Sequence, residues 1–247
     1  MKSLLCAVGA ALIALSTMVG TADASVVIAG TRVVFPAANG EVTVRLSNDG
    51  SQPALVEAWI DSGNPESTPD TSNVPFLITP PLIRMNAGKG QSLRIVYTGQ
   101  PLPADRESLF WLNVLEIPPK PTAKPDEEQN TLQFAVRSRL KLFFRPANLA
   151  GDAPSAARQI TWKVVADGSG YALEAHNPTP YYITFSKLSL SVDNVALTPD
   201  NGMVAPLSSL RLPVKNLGRA PATGAVVDYT TINDFGAAAS YKGTTSP

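Results

Sequence analysis

From Asn130 to Pro146 the chain reads N-T-L-Q-F-A-V-R-S-R-L-K-L-F-F-R-P, alternating between apolar and polar residues along much of its length. A period of two suits an extended strand with two unlike faces, because successive side chains of a strand point to opposite sides. Leu132, Phe134 and Val136 fall on one face. Gln133, Ala135, Arg137, Arg139 and Lys141 fall on the other, which grows cationic toward its end. Upstream, Pro118 to Gln129 is rich in Pro, Lys and acidic residues and reads as an exposed loop. A strand entered from a long solvated loop belongs at a sheet edge, and an edge strand with a bare apolar face is an aggregation hazard. Either another element covers it or it serves to pair with another chain; we take the second reading.

The rest of the chain is punctuated too often for helices of ordinary length, with 22 prolines and 17 glycines scattered at short intervals. Short β-branched or alternating runs fill the gaps. They are Ser25–Phe35, Val42–Leu46, Leu55–Ile60, two pieces within Phe76–Met85, Leu93–Tyr97 and the very apolar Ser108–Ile117. With the 130–146 stretch these make an immunoglobulin-like sandwich. After Arg145 the composition turns to Ala, Pro and Asn, and further short runs follow at Ile160–Ala166, Tyr171–His176, Tyr181–Val192, Leu210–Val214 and Ala225–Ile232. The predicted organisation is all-β: one sandwich over 25–146, a linker over 147–158, a second sandwich over 159–247, and a cleft between the two. Trp59, Trp111 and Trp162 all fall in strand patterns that predict core positions.

Residues 1–24 have the order of a secretory leader: Met1-Lys2, an apolar run from Leu4 to Val19, and the small-x-small site Ala22-Asp23-Ala24. The run is short for a membrane span, so the chain is expected to be exported as a soluble protein that starts at Ser25. Cys6, the single cysteine, lies inside the leader, so the exported chain must be held by packing rather than by disulfides. Twenty basic and 20 acidic residues balance; there is no cationic excess for nucleic acid and no polybasic run for a membrane surface.

Catalysis finds little support. His176 is the single histidine and sits in A-H-N-P with no nucleophile motif beside it. No His or Cys cluster offers a transition-metal site, and Asp126-Glu127-Glu128 reads as a solvated loop. Gly168-Ser169-Gly170 lacks the Lys-Ser/Thr of a phosphate loop and reads as a hairpin turn. No enzyme activity, cofactor or metal is expected. Two cations inside predicted strands stand out, Arg32 and Lys141. Beside an apolar edge strand they suggest a site that fixes the carboxylate end of an extended chain.

T-R-V-V-F-P (31–36), L-P-A-D-R-E-S-L-F-W-L-N-V-L-E-I-P-P (102–119), the 130–146 stretch, N-P-T-P-Y-Y (177–182) and T-I-N-D-F-G (231–236) occur in this order. The sequence strongly resembles the periplasmic pilus-assembly chaperones of the chaperone–usher pathway, over essentially the whole chain after the leader. The resemblance implies an L-shaped, boomerang-like pair of immunoglobulin-like domains. It also implies a function: binding, folding and capping pilus subunits by donor-strand complementation, then delivering them to an outer-membrane usher. By resemblance, Arg32 and Lys141 anchor the subunit's C-terminal carboxylate, and Leu132, Phe134 and Val136 are the apolar donor-strand residues. Glu107, Arg145 and Asp234 correspond to an inter-domain charge network. The 116–130 loop is somewhat longer than in short-loop members, but the paired cysteines of long-loop members are absent; the chain fits the short-loop branch better. An exposed strand also invites self-capping homodimers. The rival expectations are a secreted carbohydrate-binding or adhesive β-sandwich, which calls for exposed aromatics or acidic calcium loops, and a pilus subunit, which calls for a single incomplete domain.

Overall fold

The computed structural model describes residues 25–120 and 132–246, apart from Ser169, Asn194, Ala222 and Thr223. The leader (1–24) and the Asp126-Glu127-Glu128 loop lie outside the described residues. Nine strands form the first domain: β1 (Val26–Ile28), β2 (Arg32–Pro36), β3 (Glu41–Asn48), β4 (Ala54–Asp61), β5 (Phe76–Thr79), β6 (Leu82–Met85), β7 (Gly90–Tyr97), β8 (Ser108–Ile117) and β9 (Val136–Arg145). They divide into two sheets, β1-β3-β7-β5 and β2-β9-β8-β4-β6. The opening run is shared between the two. β1 pairs with β3, the chain turns through Gly30 at φ +93, and β2 then pairs in parallel with β9. That left-handed angle suits a residue without a Cβ. Inward-facing Phe35, Leu93, Ile95, Leu112 and Leu142 are fully buried between the sheets. Phe35, Phe76, Phe110, Tyr97 and Phe144 pack ring against ring there, with Phe76 and Phe110 at 5.0 Å and Tyr97 and Phe144 at 4.6 Å between centroids.

The second domain holds β10 (Thr161–Asp167), β11 (Gly170–Asn177), β12 (Ile183–Val192), β13 (Val195–Leu197), β14 (Gly202–Val204), β15 (Ser208–Val214), β16 (Val226–Ile232) and β17 (Ala238–Ser246). β10, β11 and β15 form one layer, and β13-β12-β16-β17, with β14 also on β12, forms the other. The end of β17 joins the layers by pairing in parallel with β10, Trp162 opposite Thr245. Trp162 is the centre of this core, with Phe185, Leu188, Leu190 and Val227 around it. Between the domains, Asp152 caps a helical turn over Ala153–Ala156 by accepting the Ser155 N–H at 2.9 Å. Ala156 and Ala157 pack into the second core. The chain is thus two all-β sandwiches of immunoglobulin type.

All three tryptophans lie in strands, and Trp59 and Trp162 are buried as the pattern predicts, but only Trp162 packs between two sheets. Trp162 is a core residue, but Trp59 and Trp111 lie on the outer face of the β9-containing sheet, beneath the cationic face of β9. The Arg137 guanidinium sits 4.7 Å from the Trp59 ring centroid, and that of Arg139 sits 4.3 Å from the Trp111 ring. Buried Asp61 accepts from Arg139, at 2.5 Å, and from Asn113 Nδ2, at 2.8 Å. Burial pushes the Asp61 carboxyl up, but the donors Arg139, Asn113 and the Gly63 N–H outweigh it and hold Asp61 below the usual carboxylate range. Arg137 also donates to Pro65 O at 2.7 Å, which draws the loop between β4 and β5 over Trp59. These cations are therefore spent on holding the outer face together.

Candidate functional site

β9 is unequally flanked. β8 pairs with it along its whole length, from Val136 opposite Glu116 to Phe144 opposite Ser108. β2 reaches it only from Lys141 onward, where Arg32 is its partner. Among the described residues, the edge of β9 from Val136 to Leu140 on the β2 side has no neighbouring strand. Backbone donors and acceptors along it are therefore free to take a further strand.

The apolar trio sits at the head of this edge. Leu132 is 78 % exposed, Phe134 70 % and Val136 41 %. The alternating pattern predicts strand for all three, whereas the hydrogen-bonded ladder begins only at Val136. The cause lies opposite: β8 ends at Ile117, and the following Pro118 and Pro119 have no N–H to donate. Leu132 and Phe134 thus project ahead of the ladder, with no strand paired to them among the described residues.

Arg32 and Lys141 close the other end of the open edge. Directly opposite in the parallel pair, they stand side by side, half-buried, facing the second domain. Arg32 Nη1 donates to Ile232 O at 2.9 Å, and Lys141 Nζ donates to Thr184 Oγ1 at 3.2 Å. Neither forms an ion pair among the described residues, and Arg32 Nε is buried with no acceptor. Burial lowers the Lys141 ammonium from its usual value, and the Arg32 charge lowers it further. Burial also lowers Arg32, partly offset by the charges of Asp234 and Glu107. Two half-buried cations with no ion-pair partner among the described residues make a seat for an anion.

Behind them, Arg145 ties the domains together. Its Nε donates to Glu107 Oε1 at 2.7 Å, and its two Nη atoms grip Asp234 at 2.7 and 3.0 Å. Glu107 is 3 % exposed, and its second oxygen accepts the Tyr182 N–H at 2.7 Å. Burial pulls Arg145 down, but the hydrogen bonds and charges of Asp234 and Glu107 outweigh it and push it up. Burial pushes Glu107 up against the opposing pull of Arg145. The structure also brings Phe143 against Tyr182 across the boundary, at 5.7 Å between centroids; no sequence signal short of the fold singles out that contact, or the Thr184 hydroxyl. Arg145→Leu leaves the buried Glu107 charge unpaired and is expected to cost about 3–5 kcal/mol of unfolding free energy. Glu107→Gln keeps an acceptor for Tyr182 and should cost clearly less. Chemical denaturation of the two variants checks the order, and equal costs would contradict it.

The sequence matches two family descriptions in tandem. Residues 25–150 match "Pili and flagellar-assembly chaperone, PapD N-terminal domain", and residues 155–243 match "Pili assembly chaperone PapD, C-terminal domain". The chaperone protein FimB/FhaD of Bordetella pertussis is 48% identical over 240 residues, covering 96% of this chain and 93% of that one. The probable fimbrial chaperone YadV of Escherichia coli K12 is 42% identical over 216 residues, 87% of each chain. Among solved structures, the Pseudomonas aeruginosa CupB2 chaperone superposes with a TM-score of 0.74 at 40% identity, covering 89% of this chain and all of that one. The Salmonella enterica SafB chaperone, solved in complex with the SafA pilin, gives 0.72 at 28% identity, over 91% and 98%. A two-sandwich chain with an open edge strand, matched at both domains, belongs to the PapD family of pilus-assembly chaperones.

Proposed function

We propose that this chain works in the periplasm as a subunit chaperone. It lends the β9 edge and its leading apolar residues to an incomplete pilus subunit and hands that subunit to an outer-membrane usher. The observation that carries the reading is the open Val136–Leu140 edge ending at two cations with no ion-pair partner among the described residues. Their placement sets the direction of the guest. A carboxylate held at Arg32 and Lys141 puts the guest's last residue where β2 begins, so the guest runs parallel to β9 and in line with β2. Its backbone completes the ladder, while Leu132, Phe134 and Val136 fill the guest's own core. Arg145, Glu107 and Asp234 set the angle between the domains and do not touch the guest. Binding and release account for the whole role, with no catalytic step.

The test is capture in the native compartment. Tagged protein purified from the periplasm of pilus-expressing cells should carry a small exported subunit in a one-to-one complex, identified by mass spectrometry. An empty preparation under those conditions would remove the subunit-capture reading of this site.

A further inference from the structure

Glu116 is 9 % exposed and sits on the core-facing side of β8, in register with Val56 and Val136. No Lys, Arg or His among the described residues pairs with it. Its carboxylate instead gathers the start of β1. Oε1 accepts from the Ser25 nitrogen at 3.2 Å and from the Ser25 hydroxyl, and Oε2 accepts the Val26 N–H at 3.0 Å. The seat around Ser25 is a built one. The Asp49 N–H donates to Ser25 O at 2.8 Å, and a Cβ on Gly50 would come within 2.5 Å of the Ser25 Cβ. Glu116 and β1 belong to opposite sheets, so this contact fastens one sheet to the other.

A buried carboxylate with no cation is costly. Yet the nitrogen aimed at it belongs to the residue that follows the expected cleavage site, Ala22-Asp23-Ala24. Hydrolysis of the Ala24–Ser25 peptide bond adds water across it. The leader keeps the new Ala24 carboxylate, and Ser25 keeps the amine, which takes up a proton at neutral pH. We propose that Glu116 is the receptor for the α-ammonium group that leader removal creates at Ser25, so that processing itself supplies the missing counter-charge and locks β1 to β8. Until then the same atom is a neutral amide and the carboxylate has hydrogen bonds only.

A double-mutant cycle tests this. Chains beginning at Ser25, or carrying Gly-Gly-Ala ahead of it, are compared with and without Glu116→Gln by denaturant unfolding. The free terminus should raise the folding equilibrium constant about tenfold when Glu116 is present, the low end for a charge-assisted hydrogen bond. It should have no effect in Glu116→Gln. The same effect of the extension in both backgrounds, or none in either, overturns the proposal. Two measurements need only the unmutated protein. Its intact mass after export should correspond to a start at Ser25, and any other start overturns the proposal. Its α-amine should react with a small acylating reagent at least tenfold more slowly in the folded chain than after unfolding; equal rates overturn it as well.

Discussion

Replacing Leu132, Phe134 and Val136 together with serine is expected to abolish subunit capture while leaving the chaperone folded. The two halves of that expectation have separate grounds. Leu132 and Phe134 lie largely in solvent and precede the first ladder residue, and Val136, 41 % exposed, belongs to no core cluster, so the domain's own core loses little when they go. Once inserted in a partner, each side chain contributes about 1.5–3 kcal/mol by leaving water. The trio then contributes about 5–9 kcal/mol, or roughly four to six orders of magnitude in affinity. Phe134→Asp alone should give a large part of the loss, since it places a charge in an apolar groove. Complex yield on periplasmic co-expression, with the thermal midpoint of the free chaperone as control, measures both halves. Undiminished capture by the triple variant would remove the donor-strand reading. A midpoint that fell with capture would show instead that these residues support the fold.

Much of the architecture was legible because it rests on local rules. Period-two runs between prolines and glycines mark the strands, and the cations Arg32 and Lys141 stand out because a strand interior seldom holds an unpartnered charge. What was not legible depended on what lies opposite. Leu132 and Phe134 alternate as a strand should, but strand pairing needs a partner backbone, and Pro118-Pro119 removes it. Trp59 and Trp111 alternate like core residues, yet a guanidinium laid on an indole covers the ring about as well as a second sheet does. β17 reads A-A-S-Y-K-G-T-T-S, with scarcely a β-branched apolar residue. It is a strand because β16 and β10 offer it edges, and because Gly243 lets it pass Trp162, where a Cβ would approach the indole to 2.9 Å. Tertiary context outweighs propensity at such positions. The Arg145 network is legible in the sequence only through the family resemblance; its geometry needs residues 107, 145 and 234 in one place, which spacing alone does not reveal.

Arg32→Ala combined with Lys141→Ala should also end productive capture, for a different reason. A charge-assisted hydrogen bond to a carboxylate contributes about 1.5–3 kcal/mol, less than the apolar trio, so loss of the anchors alone would leave appreciable affinity if affinity were their whole purpose. Their position gives them a second effect. They stand where the open edge ends and β2 begins, so a carboxylate fixed there sets which guest residue faces which residue of β9. A slip by one residue turns every guest side chain to the opposite face, and the apolar contacts are lost with the register. The double variant should therefore lose more than two hydrogen bonds' worth of affinity. It should also become blind to the guest's terminus. A peptide with the sequence of a subunit's last strand should bind the wild type at least tenfold better as the free carboxylate than as the C-terminal amide, by titration calorimetry. The double variant should bind both forms equally weakly. A preference for the carboxylate that survives in the double variant would place the anchor elsewhere in the cleft.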